Sequence, residues 1–240
     1  MIGTPSATKV VVVEDHSLFA ESLQIALEME GYSVRLAVSA TTGRSHAGLL
    51  SSVLRAEPRI VLLDLDLGPF GNGARLVQPL AQAGVAVIVI TGSADRSHWG
   101  EALRYGARKV LAKSARLNDI LATVRKVNDG RPVLTREERE ELLREWHLQR
   151  VKVHDLRQRL DRLTTREAEV LARLMEGQQV RDIATGSVVS VATVRTQVKS
   201  ILSKLEVSSQ LAAVGLAHHV GWVPPMQQAV PVGSGYPALR

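Results

Sequence analysis

The chain has 240 residues, 45% of them hydrophobic, which is enough material for one large or two modest domains. Its formal net charge of +6 indicates an anionic partner, although no single segment is strongly basic. The absence of cysteine excludes disulfides and cysteine-ligated zinc. No apolar run is long enough to span a bilayer, and residues 1–9 lack the apolar core of a signal peptide. We therefore expect a soluble, cytoplasmic protein without a membrane partner.

The first 130 residues alternate apolar segments with segments of helical periodicity, joined by short loops. The predicted strands are residues 10–13, 33–38, 60–63, 85–90 and 110–112. The predicted helices are residues 17–30, 41–56, a segment ending at residue 83, 96–105 and 117–128. Such alternation implies right-handed parallel crossovers. The sequence thus predicts an α/β domain with a doubly wound, five-stranded parallel sheet of the flavodoxin-like kind.

Polar side chains stand where the predicted strands end. Asp64 follows a wholly apolar strand, Glu14 and Asp15 follow the first strand, Thr91 the fourth and Lys113 the last. Because the carboxyl ends of parallel strands meet at one edge, we expect these groups to converge there. Clustered carboxylates need a cation, and oxygen ligands favour Mg²⁺. A carboxylate beside Mg²⁺ can accept a phosphoryl group.

These five residues resemble, in order, the acidic pair, phosphoacceptor, switch hydroxyl and lysine of two-component receiver domains. The resemblance covers residues 8–130. It implies that a sensor histidine kinase phosphorylates Asp64 and that Thr91 and Lys113 sense the phosphate. It also implies a set of Mg²⁺ ligands, with Glu14 acting through water and Asp66 through its main-chain carbonyl: Glu14, Asp15, Asp64 and Asp66.

The chain departs from the receiver pattern at two points. The loop after Asp64 is one residue longer than usual, with Leu67-Gly68-Pro69 in place of Met-Pro. Val110 occupies the position where an aromatic residue usually responds to the switch hydroxyl, and Tyr105 is a candidate substitute. Both departures favour an alternative in which the receiver is vestigial.

Part of the same pattern is also found in a different class of protein, an enzyme. Asp64-x-Asp66 followed by Thr and Lys also resembles haloacid-dehalogenase-type phosphatases, which use an aspartate nucleophile. In those enzymes the nucleophile ends the first strand and further metal-binding acids follow the lysine, whereas here the acidic pair precedes the nucleophile. We therefore expect a protein that is not an enzyme.

Residues 131–160 are predicted to form a linker helix, which Thr135 caps. Apolar residues recur along it at alternating spacings of four and three, interrupted once by Gln149. This pattern indicates either a parallel coiled coil that joins two chains or a stripe that packs on the chain's own domains. The predicted dimer seam consists of Leu142, Trp146, Val153, Leu156 and Leu160.

Residues 161–222 have the pattern of a small all-α domain. Thr164 and Glu167 predict a capping box, and Ser190 is placed to cap a later helix. In that later helix one face is apolar and the other is basic and polar, which is typical of a helix-turn-helix. The apolar face consists of Val194, Val198, Ile201 and Leu205.

This module resembles the LuxR-type DNA-binding domain, from Leu163-Thr164-Thr165-Arg166-Glu167 through Thr193-Val194-Arg195-Thr196 to Lys204-Leu205. Gln197 replaces a histidine that is common in the family. Residues 223–240 are predicted to be a disordered tail. The resemblance implies that one polar face contacts DNA: Ala192, Thr193, Arg195, Thr196 and Lys199.

Together the two modules resemble response regulators of the NarL/FixJ type. The resemblance implies a transcription factor that binds double-stranded promoter DNA as a homodimer, with RNA polymerase as a further candidate partner. The alternative is a constitutive DNA-binding dimer held by the linker seam.

Overall fold

A computed structural model describes residues 8–37, 45–68 and 71–224. Five strands are present in these residues: β1 (Lys9–Val13), β2 (Ser33–Leu36), β3 (Ile60–Asp64), β4 (Ala86–Thr91) and β5 (Lys109–Ala112). The first five helices alternate with the strands: α1 (Ser17–Met29), α2 (His46–Arg55), α3 (Ala74–Gln82), α4 (Arg96–Arg104) and α5 (Leu117–Asn128). Five further helices follow: α6 (Arg136–Asp161), α7 (Thr165–Met175), α8 (Val180–Gly186), α9 (Val191–Leu205) and α10 (Gln210–His219).

The five strands form one parallel sheet in the order β2-β1-β3-β4-β5. Side chains alternate across it, so that Val11 and Val13 enter one buried cluster while Val10 and Val12 enter another on the opposite face. Strand β3 is buried along its whole length. The prediction of a doubly wound, flavodoxin-like α/β sheet is confirmed.

The start of α2 differs from the prediction. Ser45 has an extended backbone and its Oγ accepts a hydrogen bond from the Gly48 N–H at 3.1 Å, so the helix begins at His46 rather than at residue 41. Side-chain capping fixed this boundary, and the apolar periodicity did not reveal it. Residues 38–44 of the predicted second strand and helix lie outside the described residues, as do residues 225–240 of the predicted tail.

The chain divides into two compact units, Met1–Gln149 and Arg150–Arg240, and the boundary falls inside α6. The first half of α6 packs on the first unit. Leu142 is 4% exposed and belongs to the cluster on one face of the sheet. A Cβ on Gly100 of α4 would meet the Leu142 carbonyl and come within 2.7 Å of the Trp146 Cβ. The two helices therefore touch through backbone, at a position that only glycine fills without displacement.

Ion pairs flank this contact. Arg96 of α4 donates from Nε to both carboxylate oxygens of Glu145 at 3.0 Å, and Lys109 of β5 lies 2.7 Å from Glu138. Arg139 donates to the Leu103 carbonyl in the last turn of α4 at 3.2 Å. These groups are partly exposed, so they orient α6 more than they stabilise it.

The second half of α6 belongs to the second unit. Leu160 is 2% exposed within a cluster built with α7 to α10, and Val153 and Leu156 pack against that cluster. The predicted dimer seam is thus covered at both ends by the chain's own units. It remains a prediction, and a coiled coil through its first half requires Leu142 and Trp146 to leave α4.

No helix within the described residues is long and apolar enough to cross a membrane.

Replacing Gly100 by Ala should detach the first half of α6. The added methyl group meets the backbone of Leu142, and a charged helix of this length is marginal in water without tertiary support. We expect faster amide hydrogen exchange across residues 136–149. The matched control is Gly215→Ala in α10, where a Cβ meets open space and helix propensity should raise stability by roughly 0.5–1 kcal/mol. Unchanged exchange in Gly100→Ala would contradict the close packing.

Candidate functional site

The predicted strand-end residues converge at the carboxyl edge of the sheet. Parallel pairing brings the ends of β1, β3 and β4 side by side, and Glu14, Asp64 and Thr91 are each no more than 3% exposed there. Lys113 Nζ lies 2.7 Å from Glu14 Oε1 and 2.7 Å from Asp64 Oδ2. One ammonium group therefore bridges two buried carboxylates.

Asp15 and His16 complete the cluster. Ligand atoms of Glu14, Asp15, His16 and Asp64 all lie within 4.8 Å of one another. Asp15 Oδ1 is buried and accepts no hydrogen bond of suitable geometry, although His16 Nδ1 lies 2.8 Å away. Sequence reasoning missed His16, whose only signal was its position directly after the acidic pair.

The electrostatics of the site are unbalanced. Burial raises the pKa of the Asp64 carboxyl above its ordinary value, although hydrogen bonds from Lys113 and from the Asp66 N–H oppose the rise. Burial alone would lower the pKa of Lys113, but its bonds to Asp64 and Glu14 raise it. The cluster holds three carboxylates against the Lys113 ammonium group, which contacts Glu14 and Asp64, and the His16 imidazole, which lies beside Glu14 and Asp15, so an excess of negative charge remains.

These residues fit a Mg²⁺ ion. The cluster supplies carboxylate oxygens, and Asp15 Oδ1 is a buried acceptor without a hydrogen bond, which a cation would satisfy. The neighbouring loop also approaches closely, since a Cβ on Gly68 would lie 2.9 Å from Asp15 Oδ2. The Asp66 side chain turns instead to its own loop, where it accepts from the Gly68 N–H at 3.3 Å. The structure thus does not bring the Asp66 carboxylate into the cluster, and only its main-chain carbonyl remains as the predicted ligand.

A cavity of about 690 Å³ opens beside Asp64, and its lining includes Thr91 and Lys113. Thr91 Oγ1 accepts from the Ser93 N–H at 3.1 Å. The Ser93 carbonyl in turn accepts from Trp99 Nε1 at 2.9 Å. Trp99 lies in α4 and packs against the core, so the Thr91 hydroxyl is connected to α4 through two hydrogen bonds.

The position of Trp99 is of interest because Val110 stands where receiver domains usually carry an aromatic residue. Val110 is 4% exposed in the core, and Tyr105 is partly buried at the end of α4 and does not line the cavity beside Asp64. Trp99, by contrast, touches the loop after Thr91 through its bond to the Ser93 carbonyl. Sequence reasoning missed it because its link to Ser93 is a side-chain bond to backbone, which no pattern reports.

In the second unit α9 presents the predicted polar face to solvent. Ser190 caps the helix by accepting from the Thr193 N–H at 3.0 Å. The exposed residues are Ala192, Thr193, Arg195, Thr196 and Lys199. The opposite face, from Val194 to Leu205, is buried as predicted. Arg195 and Lys199 have no side-chain partner among the residues that the structure describes, so both are free to bind an anion.

Glu167 fixes α9 against α7. Its carboxylate accepts from Lys204 Nζ at 2.6 Å, from Ser200 Oγ at 2.6 Å and from the Thr164 N–H at 2.7 Å. The last of these bonds completes the capping box predicted from the sequence. Burial would raise the pKa of Glu167, but the hydrogen bonds from Lys204, Ser200 and Thr164 lower it from 4.5 to about 2.

Comparison with known proteins assigns both units. Residues 10–125 match the response regulator receiver domain, and residues 161–217 match the bacterial regulatory proteins of the luxR family. The transcriptional regulatory protein LnrK of Bacillus subtilis is 30% identical over 212 residues, covering 85% of this chain and 94% of that protein. The probable transcriptional regulatory protein NarL of Mycobacterium tuberculosis is 30% identical, covering 89% and 94%. DesR of Bacillus subtilis is 24% identical, covering 89% and 98%.

Replacing Lys204 by Met should lower the free energy of unfolding of the second unit by about 1–3 kcal/mol at pH 7, because a buried carboxylate loses its cation. The pKa of Glu167 is lower in the folded state than in the unfolded chain, so its ionised form stabilises the folded state at pH values above 4.5. This contribution is lost as the pH falls from 4.5 toward 2. The difference between variant and wild type should therefore shrink over that range.

The measurement is urea unfolding of the full chain, followed by Trp222 fluorescence after Trp99 and Trp146 are replaced by Phe. Lys199→Met removes the same charge from the exposed face of the same helix and should change stability by no more than about 0.5 kcal/mol. Equal losses in the two variants, or a loss independent of pH, would contradict the role given to Glu167.

Proposed function

Because this chain belongs to the family of response regulators that join a receiver domain to a LuxR-type DNA-binding domain, we propose that phosphorylation of Asp64 controls its binding to promoter DNA. The observation that carries the proposal is the convergence of Asp64, Lys113, Thr91 and the acidic pair at one sheet edge. A sensor histidine kinase is the proposed phosphodonor, and the proposed place of action is the cytoplasm.

The proposed reaction is a phosphoryl transfer. An Asp64 carboxylate oxygen attacks the phosphorus of a phosphohistidine, the P–N bond breaks, and its electrons return to the imidazole nitrogen. Asp15, Asp64 and the Asp66 carbonyl would hold Mg²⁺, with Glu14 assisting through water. A bound Mg²⁺ would supply charge neutralisation at the phosphoryl oxygens. Lys113, already 2.7 Å from Asp64, is placed to pair with the same oxygens.

Thr91 provides the proposed route by which the charge is sensed. Its hydroxyl oxygen accepts from the Ser93 N–H, which leaves its proton available to donate to a phosphate oxygen. Rotation of the hydroxyl toward the phosphate would disturb the Ser93 loop and, through the Ser93 carbonyl, Trp99 of α4. A change at Asp64 thereby reaches α4 without the aromatic residue that Val110 replaces.

The proposed change at Asp64 then passes from α4 to α6. Arg96 and Gly100 of α4 hold the first half of α6, so a shift of α4 weakens that support. Released from α4, Leu142 and Trp146 would continue the seam formed with Val153 and Leu156. We therefore propose that phosphorylation favours a homodimer because it makes Leu142 and Trp146 available to a second copy, which buries the same apolar surface again.

Dimerisation would serve DNA binding. A helix-turn-helix dimer contacts two half-sites, and the unpaired Arg195 and Lys199 on α9 supply guanidinium and ammonium groups for base edges and phosphates. The relatives named above are transcriptional regulators, which supports this use of the module. RNA polymerase is a further proposed partner at the promoter.

A second candidate is a constitutive DNA-binding dimer with a vestigial receiver. It is favoured by the burial of Val110 at the position of the usual aromatic switch. In that case the dimer and its DNA affinity would be indifferent to the state of Asp64.

The full chain treated with acetyl phosphate and Mg²⁺ should gain one phosphoryl group, double its mass by light scattering and bind duplex DNA roughly tenfold more tightly. Asp64→Asn should abolish all three changes, whereas Asp119→Asn on the exposed face of α5 should retain them. If Asp64 is phosphorylated but the molar mass by light scattering and the affinity for duplex DNA stay the same, the result would support the constitutive dimer. Modification that persists in Asp64→Asn would contradict the assigned acceptor.

Replacing Lys199 by Ala should weaken duplex DNA binding and reduce the salt slope of log K by about one, because one phosphate contact is lost. Lys152→Ala removes the same charge from an exposed site on α6 and should leave the slope unchanged. Binding isotherms at several salt concentrations make the comparison. An equal effect of both variants would mean that the face of α9 carries no DNA contact.

A further inference from the structure

A second cavity lies at the amino edge of the sheet, on the side opposite Asp64, where β3, β4 and β5 begin. Its volume is about 580 Å³, within the range of roughly 300–1,000 Å³ that is typical of small-molecule sites. Four guanidinium side chains line it: Arg59, Arg108, Arg131 and Arg139.

Two of these arginines are fixed by strand pairing. The Arg59 carbonyl accepts from the Ala86 N–H at 3.0 Å, and the Arg108 N–H donates to the Val87 carbonyl at 2.7 Å. The two side chains therefore start from backbone on either side of β4. Between them Gly84 has φ +82°, and a Cβ there would meet nothing within 4 Å. The space above the start of β4 is open.

The guanidinium groups have unused donors. Arg59 Nη2 donates to the Asn128 carbonyl at 2.9 Å and Arg139 Nη2 to the Leu103 carbonyl at 3.2 Å. Each bond uses one of five N–H donors. Arg131 pairs with Asp129 at 3.1 Å, and the side chain of Arg108 has no partner in residues 8–37, 45–68 and 71–224. Asp129 is the only carboxylate paired with the four arginines within those ranges.

The remaining wall is largely apolar. Val127 at the end of α5 and the segment Pro132-Val133-Leu134 complete the lining. A bare inorganic anion would satisfy the arginines but leave these side chains in contact with water. A ligand with several phosphates and a planar ring matches both parts, because guanidinium groups bind phosphate oxygens in pairs and also stack on rings.

We infer that the arginine-lined cavity at the amino edge of the sheet binds a nucleoside polyphosphate. The inference does not rest on the phosphorylation of Asp64 or on DNA binding, since it uses only residues at the opposite edge of the receiver unit. Nucleotide would therefore bind the full chain whether or not the receiver is phosphorylated.

The test is titration of the full chain with ATP and with GTP by isothermal calorimetry, with EDTA present to remove Mg²⁺ from the Asp64 site. We expect saturable binding that the double variant Arg59→Gln, Arg108→Gln weakens about tenfold or more. Arg35→Gln, on the exposed side of β2 across the sheet, is the matched control and should bind as the wild type does. Asp64→Asn should also bind normally.

Four results would overturn the inference. One is no binding, or binding that the double variant retains. Another is that tripolyphosphate binds as tightly as ATP, which would mean that the apolar wall adds nothing to the affinity for the nucleoside part of the ligand. The last is loss of nucleotide binding in Lys199→Gln, which would locate the site on α9.

A second readout covers the case in which the double variant does not fold. In amide NMR spectra of the wild-type full chain, ATP should shift the signals of Gly84 and Gly130, which border the cavity, and leave that of Gly92 at the Asp64 edge in place. Shifts confined to Gly92 would contradict the inference.

Discussion

The bridge from Lys113 to Glu14 and Asp64 is the interaction on which the receiver unit depends. Two carboxylates that are almost fully buried would repel each other and lose hydration, and a single ammonium group offsets both costs only in part. The remaining negative charge, together with a buried Asp15 oxygen that accepts no hydrogen bond, suits the site to a cation. The parallel sheet holds Glu14, Asp64 and Lys113 at one edge, because they lie at or directly after the ends of β1, β3 and β5.

From that edge the structure supplies a short physical route to the linker helix. Thr91 is joined to Ser93, Ser93 to Trp99, and α4 to α6 through a glycine that permits backbone contact. The route uses hydrogen bonds and close packing, which change between discrete arrangements rather than continuously. By this route the proposed change at Asp64 would reach α4 without an aromatic residue at the position of Val110.

The sequence predicted the sheet, the polar strand ends and the two faces of α9, because each follows from a period or from the edge geometry of parallel strands. The sequence could not predict whether the apolar residues along α6 pack on a second chain or on the chain's own two units. Leu142 and Leu160 have the same spacing signal in a coiled coil as in a chain that packs on itself, and only tertiary packing distinguishes the two. The roles of Trp99, His16 and Gly100 were equally hidden, since each depends on a contact with one particular backbone or side-chain atom.

In the proposed mechanism, the state of Asp64 controls the docking of α6 on α4. The chain has no cysteine, so Arg104→Cys in α4 and Arg144→Cys in α6, both exposed sites, can carry a single pair of spin labels. Pulsed electron double resonance, with labelled chains diluted in unlabelled ones, then measures their separation before and after addition of beryllofluoride and Mg²⁺. We expect one short distance before addition and a second, longer population after it, which is absent in Asp64→Asn. A single short distance under both conditions would contradict this mechanism.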